Sequence, residues 1–210
     1  MQDLIIIGAG GFGREVLQWA KHVNNAEQRW KIKGFIDDNL QALEGIECDY
    51  QVLGAIQSWR VSPNEVFVCA IAKPALKQSI TTSLLARGAV FANLVHPTAI
   101  IGDFCKIGKG LIVTPNAKVS PNVTIGDFVT LLGSGVGHDA VLEDFCTISG
   151  NCSINGNVRV KQGAFVASNT CVVPGKTIGQ WAYVGMGSMV IRSVEDHSKV
   201  FGNPAKKLKF

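Results

Sequence analysis

The segment VSPNVTIGDFVTL, Val119 to Leu131, places an aliphatic residue at every sixth position, and this spacing decides the fold. The same spacing extends back to Val95 and, after a skip of one residue, resumes at Val136 and continues to Val190. The residue four places later is usually small, and glycine often follows the aliphatic residue, as expected at a tight corner. The aliphatic positions are Val95, Ile101, Ile107, Val113, Val119, Ile125, Leu131, Val136, Leu142, Ile148, Ile154, Val160, Val166, Val172, Ile178, Val184 and Val190.

A six-residue repeat with one inward-facing aliphatic residue predicts a solenoid with short flat faces, three to a coil. This pattern is typical of the left-handed parallel β-helix, and seventeen units make between five and six coils over residues 95–210, including a C-terminal tail. Three of the six cysteines, Cys105, Cys146 and Cys152, occupy the small core positions. We therefore expect buried thiols rather than a zinc site or a disulfide framework.

Residues 1–94 show a different pattern, in which strand-like and helix-like segments alternate. Such alternation predicts a small Rossmann-like parallel sheet wrapped by helices, so the chain is expected to hold an α/β domain before the solenoid. The segments are LIIIG (4–8), REVLQWAKHV (14–23), IKGFIDD (32–38), NEVFVCAIA (64–72), PALKQSITTSLLARG (74–88) and AVFANLV (89–95).

The composition excludes several classes of function. The net charge is only +4, and the basic residues are scattered apart from AKKLK near the C-terminus, which argues against nucleic-acid binding. No apolar run approaches the roughly 18 residues of a membrane span, and MQDLIIIGAG does not resemble a signal peptide. We expect a cytoplasmic protein without membrane insertion.

The sequence GAGGFG matches G-x-G-x-x-G at Gly8, Gly10 and Gly13, directly after a strand and before a helix. Asp37 and Asp38 close the next strand about 24 residues further on. Such a turn lets the backbone approach a pyrophosphate at a helix N-terminus. The domain is short for NAD, whereas a nucleoside diphosphate-sugar needs only half of a doubly wound fold. Close strand–helix packing is the alternative role of these glycines.

The pair His138-Asp139 comes after the point where the hexad loses one residue, between Leu131 and Val136. We expect the loss to distort one corner and re-aim the pair. Histidine suits proton transfer near neutral pH, and a carboxylate beside it can hold one ring tautomer. A solvent-exposed corner is the alternative for His138. The other histidines are expected on the surface of the first helix (His22), in a structural role at the domain seam (His96) and in a loop (His197).

Seven segments together resemble one known group along nearly the whole chain. The group is the hexapeptide acyltransferases of the sialic acid O-acetyltransferase type, including bacterial N-acetyltransferases that act on nucleotide-linked amino sugars. The resemblance implies a nucleotide-sugar domain, a β-helix that binds acetyl-CoA, and a homotrimer with active sites between neighbouring solenoids. The segments are IIIGAGGFGREV (5–16), FIDDN (35–39), NLVHPTAIIG (93–102), GVGHDAVLEDF (135–145), VVPGKTIG (172–179), YVGMGSMVIRSV (183–194) and FGNPAKKLK (201–209).

The resemblance also assigns roles to individual residues. His138 would be the catalytic base and Asp139 its acidic partner. Asp37 and Asp38 would contact the base or ribose of the nucleotide. The phosphates and sugar would lie near Gly10, Gly11, Phe12, Gly13 and Lys73; Phe12 stands where relatives frequently have histidine, so stacking would replace a polar contact. A plain surface position is the alternative for Lys73.

For acetyl-CoA the resemblance indicates Gly156, Ser168 and Met186 at the corners, and Lys206 or Lys207 near the phosphates, although a solvated basic tail explains those lysines equally well. Thr147 stands where some relatives carry a second histidine near the acetyl group. Phe128, Phe145 and Trp181 are expected on outer faces that neighbouring subunits bury. No metal is required.

The sequence thus predicts an acetyl-CoA-dependent N-acetyltransferase of a nucleotide-linked amino sugar, a 4-amino-4,6-dideoxyhexose made for a surface glycan. O-acetylation of a sialic acid or similar sugar hydroxyl is the rival reaction. A non-catalytic solenoid that binds a nucleotide and scaffolds a trimer is the rival of another class.

Overall fold

A computed structural model describes residues 1 to 208, and its first part is an open, fully parallel five-stranded sheet. The strand order is β3-β2-β1-β4-β5, with α1 and α2 as crossover helices, which confirms the predicted Rossmann-like domain. The sequence did not predict β3, a short strand at the edge of the sheet. The elements are β1 (Gln2–Ile7), α1 (Gly11–Glu27), β2 (Trp30–Ile36), β3 (Val52–Gly54), β4 (Glu65–Cys69), α2 (Pro74–Ala86) and β5 (Val90–Phe91).

The second part is a left-handed parallel β-helix of seventeen two-residue strands, closed at its end by β23 (Lys199–Phe201) and β24 (Lys206–Lys207). The predicted fold class is therefore confirmed. The solenoid strands β6 to β22 are, in order, Leu94–Val95, Ile100–Ile101, Lys106–Ile107, Ile112–Val113, Lys118–Val119, Thr124–Ile125, Thr130–Leu131, Gly135–Val136, Val141–Leu142, Thr147–Ile148, Ser153–Ile154, Arg159–Val160, Phe165–Val166, Cys171–Val172, Thr177–Ile178, Tyr183–Val184 and Met189–Val190.

The solenoid has three flat faces, because every third strand stacks in the same sheet. Face 1 holds β6, β9, β12, β15, β18 and β21 and ends in β23 and β24; face 2 holds β7, β10, β13, β16, β19 and β22; face 3 holds β8, β11, β14, β17 and β20. We call the edge between faces 1 and 2 edge A, that between faces 2 and 3 edge B, and that between faces 3 and 1 edge C. The second residue of each solenoid strand is buried or half-buried, except Ile107, which is 42% exposed, and these aliphatic residues line one continuous core.

The lost residue shortens one corner on edge A without displacing the next strands of the solenoid. Lys118 pairs with Ile100, 18 residues earlier, but with Gly135, 17 residues later. Ser134 compensates for the missing backbone: its buried hydroxyl donates to the Ser149 carbonyl (2.6 Å) and accepts from the Cys152 amide (2.8 Å).

The expectation that this fault re-aims His138 and Asp139 is therefore wrong. Strand β13 is already back in register, and the Asp139 and Asn157 amides bond the corner carbonyls of Pro121 and His138. Asp139 occupies the regular left-handed corner position of edge B, which Asn and Asp tolerate better than most residues. That position is held by Phe104, Asn122, Asp139, Asn157 and Gly175.

The first domain sits on face 1 and edge C, where aromatic rings seal the contact. Phe128 is only 2% exposed; it meets Phe91 edge-on (centroids 4.9 Å apart) and stacks on Phe145 (5.4 Å). The proposal that neighbouring subunits bury Phe128 and Phe145 is thus corrected, because these rings lie under their own chain's domain. Trp181, also on edge C, packs over Gly163, where a Cβ would lie 2.2 Å from the indole.

Two histidines join the domains at the start of the solenoid. His22 Nδ1 and His96 Nε2 lie 2.9 Å apart, and His96 Nδ1 contacts Thr98 Oγ1 at 2.9 Å. His96 is buried and has the predicted structural role, whereas His22 is half-buried at this seam rather than on the free surface of its helix. Burial, with His22 second, lowers the pKa of His96.

This seam makes stability depend on pH. In the unfolded chain His96 takes up a proton as the pH falls through about 6.5, whereas the folded chain resists protonation, so acid favours unfolding. We expect the melting temperature to fall less in His96→Gln than in wild type between about pH 7.5 and pH 5.5. His197→Gln, at an exposed corner, serves as control and should follow wild type. Equal falls in all three proteins would contradict the inference.

The six free thiols differ in burial. Cys69, Cys146 and Cys152 are buried free thiols, while Cys48, Cys105 and Cys171 are half-buried, so the expectation of buried thiols holds for half of them. Neither helix in the described part of the chain combines the length and apolarity needed to cross a bilayer.

Candidate active site

The His138 ring projects from edge B, held by its neighbour in sequence. His138 Nδ1 lies 2.7 Å from Asp139 Oδ2, so the carboxylate accepts from Nδ1–H and the neutral ring keeps its lone pair at Nε2. The His138 side chain is 64% exposed. The two residues adjacent in sequence are thus in direct side-chain contact.

Gly156 forms the floor beneath this ring, one coil further along edge B. A Cβ on Gly156 would lie 2.7 Å from both Cε1 and Nε2 of His138, so only glycine lets the imidazole rest there. Within residues 1–208 the Gly156 amide donates no hydrogen bond. A free N–H beside a potential base is the donor that a developing oxyanion requires.

Face 2 runs beside this ring and carries a shallow depression of about 230 Å³. Its floor is Gly135, whose missing side chain opens the gap, and its walls include Lys118, Ser153 and Asn155. The Asn155 side chain is held in place, because its Nδ2 donates to the Val172 carbonyl at 2.7 Å. The depression adjoins the shoulder of edge B that carries His138.

Three of the six residues predicted for acetyl-CoA border face 2. Gly156 lies on edge B, whereas Ser168 and Met186 stack on consecutive coils of edge A, where the Gly187 amide donates to the Ser168 carbonyl at 2.9 Å. Met186 is highly exposed. Face 2 is thus bordered on both sides by residues predicted to contact acetyl-CoA.

Thr147 does not belong to that group. It lies on face 1 under the first domain and is fully buried, with its hydroxyl donating to the Ala72 carbonyl (2.7 Å) and accepting from Lys77 Nζ (3.1 Å). A side chain that is sealed in this way has no surface for acetyl-CoA, so the structure argues against the predicted contact.

The two C-terminal lysines lie at the far end of the solenoid. Lys206 and Lys207 form β24 and line a cavity of about 390 Å³ with Arg192 and Glu195. Lys207 Nζ pairs with Glu195 Oε2 at 2.6 Å, while both side chains stay largely exposed. Arg192, which was not among the predicted contacts, adds a third basic residue to this end.

The glycine turn, residues 8–13, leaves the N-terminus of α1 open. Gly13 packs so tightly against the turn that a Cβ would lie 2.0 Å from the Gly8 carbonyl oxygen, whereas Gly10 and Gly11 face open space. Helix α1 starts at Gly11 with no side-chain cap and no acidic residue in its first turn. Its free N–H groups therefore form an anion-binding position of the kind that accepts a pyrophosphate.

This turn borders the crevice where strand order reverses, between β1 and β4, the usual ligand position in open parallel sheets. The opposite wall is the loop after β4, residues 70–73, which touches the turn: a Cβ on Gly8 would lie 2.9 Å from Ile71 Cδ1. Lys73 is exposed at the N-terminus of α2 on the same side. The structure thus brings the predicted phosphate residues to one crevice.

The two aspartates also serve the turn itself. Asp37 accepts from the Ala9 amide through Oδ2 and from the Asn39 amide through Oδ1, both at 2.8 Å. Asp38 accepts from the Gln57 amide at 3.2 Å and remains exposed. Phe12 is half-buried against Trp19, with ring centroids 6.1 Å apart, at the first turn of α1.

The crevice and the His138 ring lie on different sides of the chain. The first domain covers face 1 and edge C, through contacts such as α1 with β6 and Lys77 with Thr130. Edge B, which carries His138, is the corner of the triangular cross-section opposite face 1. A ligand held in the crevice therefore faces away from the His138 ring of the same chain.

Lys77 and Ser134 were not predicted as functional or structural residues from the sequence. Lys77 had a readable signal, because it shares the 3- and 4-residue spacing of Pro74, Thr81 and Leu84 on the buried side of α2. Ser134 is marked only by its place in the shortened hexad. Among residues 1–208, no cluster of three or more His, Cys, Asp or Glu side chains is arranged to hold a metal ion.

Known proteins match this chain over its first domain and over its whole length. Residues 3–84 match the profile of the family described as PglD N-terminal domain. The GDP-perosamine N-acetyltransferase of Escherichia coli O157:H7 is 30% identical over 217 residues, covering 97% of this chain and 95% of that protein.

Solved structures show the same two-part architecture. The acetyltransferase domain of PglB from Neisseria gonorrhoeae FA1090, in complex with acetyl coenzyme A, is 28% identical with a TM-score of 0.89 and covers 99% of each chain. PerB from Caulobacter crescentus, in complex with CoA and GDP-perosamine, is 25% identical with a TM-score of 0.89 over 100% of this chain and 98% of that chain. The similarity therefore includes both the open sheet and the solenoid.

Proposed function

The chain belongs to the hexapeptide-repeat acyltransferases of the sialic acid O-acetyltransferase type, beside the bacterial nucleotide-amino-sugar N-acetyltransferases, and from this membership we propose its acceptor, its catalytic residues and its assembly. It is an acetyl-CoA-dependent sugar N-acetyltransferase. The proposed acceptor is a nucleotide-linked 4-amino-4,6-dideoxyhexose made for a surface glycan. The observation that carries the proposal is the His138 Nε2 lone pair, oriented by Asp139 and placed beside the free Gly156 amide.

In the proposed reaction His138 is the general base. The acceptor nitrogen attacks the thioester carbonyl, the new C–N bond forms, and Nε2 takes a proton from that nitrogen. Asp139 holds the ring and stabilises the imidazolium. The Gly156 amide donates to the carbonyl oxygen as it becomes negative. When the C–S bond breaks, the proton on His138 passes to the leaving thiolate, which restores the neutral ring.

The acceptor is proposed to bind in the crevice between the glycine turn and the loop of residues 70–73. Its phosphates and sugar are bound by the Lys73 ammonium and by the backbone amides of Gly10, Gly11, Phe12 and Gly13. Both a helix N-terminus and a cation favour a pyrophosphate. Asp37 and Asp38 sit at the end of β2 on the nucleoside side of the turn. Both carboxylates keep acceptor capacity for a ribose or base beyond their backbone bonds.

The donor is proposed to lie along face 2. An extended pantetheine arm can bond the corner amides and carbonyls of a solenoid, and Ser168 and Met186 offer such corners opposite Gly156. Lys206, Lys207 and Arg192 line one cavity at the C-terminal end of the solenoid. These three residues are proposed to bind the phosphates of acetyl-CoA.

The proposed assembly is a homotrimer with active sites between subunits. The support is geometric: the acceptor crevice sits over face 1, whereas His138 stands on the opposite edge of the solenoid. An acceptor held by one chain therefore needs the His138 of another chain. Light scattering on a size-exclusion column tests this arrangement, and an active monomer would overturn it.

The function is tested by following CoA thiol release from acetyl-CoA with a panel of acceptors. We expect turnover with a 4-amino-4,6-dideoxyhexose linked to GDP, UDP or dTDP, and none with free sialic acid or with the nucleotide alone. Mass spectrometry of the product should show one acetyl group on the amine. Turnover with sialic acid instead would favour O-acetylation, and no turnover from folded trimer would favour a scaffold.

A further inference from the structure

Lys77 is a buried cation on helix α2, and all three hydrogen bonds of its ammonium group cross to the solenoid. Its side chain is 1% exposed, and Nζ lies 3.1 Å from each of Thr130 Oγ1, the Cys146 carbonyl oxygen and Thr147 Oγ1. Three ammonium donors therefore meet three oxygens of consecutive coils on face 1. These three bonds fix the position of the Lys77 ammonium on the solenoid.

Burying the Lys77 ammonium costs desolvation free energy, although the two domains already share an apolar contact surface. Within residues 1–208 Lys77 forms no ion pair, and its neighbours Cys69 and Cys146 stay neutral because burial raises the pKa of both thiols to about 12. Burial lowers the pKa of Lys77 to about 8. A well-packed apolar side chain at such a site is often as stable or more stable. Stability alone therefore does not explain the lysine.

The bonds of Lys77 lead directly to the acceptor crevice. Thr147 Oγ1 accepts from Lys77 and donates its own proton to the Ala72 carbonyl at 2.7 Å. Ala72 belongs to the loop of residues 70–73, whose other end is held by the Ala70 amide bonding the Ile7 carbonyl at 2.8 Å. The loop is thus fixed between the glycine turn on one side and the solenoid on the other.

We propose that Lys77, acting through Thr147, is a positioning residue that sets the loop of residues 70–73 as the wall of the acceptor crevice. The inference rests on the proposed function, since that function places the nucleotide-linked sugar in this crevice. Apolar contacts such as Phe91 on Phe128 resist separation but are non-directional, whereas three hydrogen bonds at one nitrogen specify a single arrangement. The acceptor then meets a preformed wall.

The test uses Lys77→Met, which keeps the length and apolar volume of the side chain, and Thr147→Val, which removes the hydroxyl. We expect each variant to fold and to raise the KM for the acceptor by about tenfold, the scale of one lost hydrogen bond, with the KM for acetyl-CoA unchanged. The double variant should be no worse than Lys77→Met, because both act through the same loop. Thr147→Ser, which restores the hydroxyl, should restore the acceptor KM.

Thr81→Val is the matched control. Thr81 is buried one turn further along α2, and its hydroxyl bonds the Lys77 carbonyl of its own helix at 2.8 Å, so the variant disturbs the helix without touching the solenoid. Its acceptor KM should equal that of wild type. An unchanged acceptor KM in Lys77→Met, or an equal rise for both substrates, would overturn the positioning role.

Hydrogen exchange separates this inference from the proposed function. Without bound ligand, the amides of residues 70–73 should exchange faster in Lys77→Met and Thr147→Val than in wild type. In Thr81→Val the same amides should exchange at the wild-type rate. Unchanged loop exchange would overturn the inference even in an active enzyme. Faster exchange in a protein that acetylates no amino sugar would uphold the anchoring of the loop and overturn the function instead.

Discussion

Replacing His138 by asparagine is expected to lower kcat for the amino-sugar acceptor by about 10²- to 10⁴-fold, the usual contribution of a positioned general base. Asparagine keeps a polar side chain of similar size at the edge B corner but has no basic nitrogen at the position of Nε2. Because the His138 side chain is 64% exposed, the fold should be unaffected. Steady-state thiol release and the melting temperature measure the two effects.

The residual activity of this variant should rise with pH more steeply than that of wild type. An amine that has already lost its proton to solvent needs no enzymic base, so alkaline conditions replace part of the lost function. A sugar hydroxyl would gain far less, since it is much less acidic than an ammonium group. His197→Asn, at another left-handed corner (φ 58°), is the control and should keep wild-type turnover. Near-normal turnover of the His138 variant at neutral pH would remove His138 as the base.

The solenoid could be predicted from sequence because each hexad carries the same aliphatic core position. One aliphatic residue per strand is enough to specify a closed three-faced core, and the position recurs in seventeen strands. The consequence of the lost residue could not be predicted. Whether a short corner tilts the next strand or is absorbed depends on one side chain, and here the Ser134 hydroxyl replaces the missing backbone contacts.

The outer surface was harder to predict than the core. A hexad states which residues face outward but not what covers them, so Phe128 and Phe145 were assigned to a subunit interface although their own first domain covers them. Strand β3 was missed for a related reason, since its three residues form a half-exposed edge with no apolar run. Contacts between distant segments arise from domain docking, which local periodicity does not encode.

The site showed the same division. The resemblance implied that Asp139 is the acidic partner of His138, and the two side chains are in contact. The placement of Thr147 was wrong, because the resemblance aligns positions but does not show that Lys77 and Ala72 occupy both sides of its hydroxyl. Lys77 lies 70 residues from Thr147 in sequence, and only the folded chain brings them together.

The second large effect is expected from Gly156→Ala, a change that adds one methyl group beneath the His138 ring. The new Cβ would lie 2.7 Å from Cε1 and Nε2, so the imidazole must swing off edge B and lose its place beside the Gly156 amide. We expect kcat to fall about 10²- to 10³-fold, comparable to loss of an oxyanion contact. The melting temperature should stay close to wild type, because Gly156 lies outside the left-handed region and the displaced group is an exposed side chain.

Gly150→Ala is the matched control, because Gly150 and Gly156 each precede a left-handed asparagine at their corners. A Cβ on Gly150 meets nothing closer than the Leu132 carbonyl oxygen at 3.9 Å, so this variant should keep wild-type activity. Combining Gly156→Ala with His138→Asn should cost no more than His138→Asn alone, since both changes remove the same ring from the same place. A loss in the double variant equal to the product of the two single losses would mean that the methyl group acts elsewhere, and the role assigned to the Gly156 floor would be wrong.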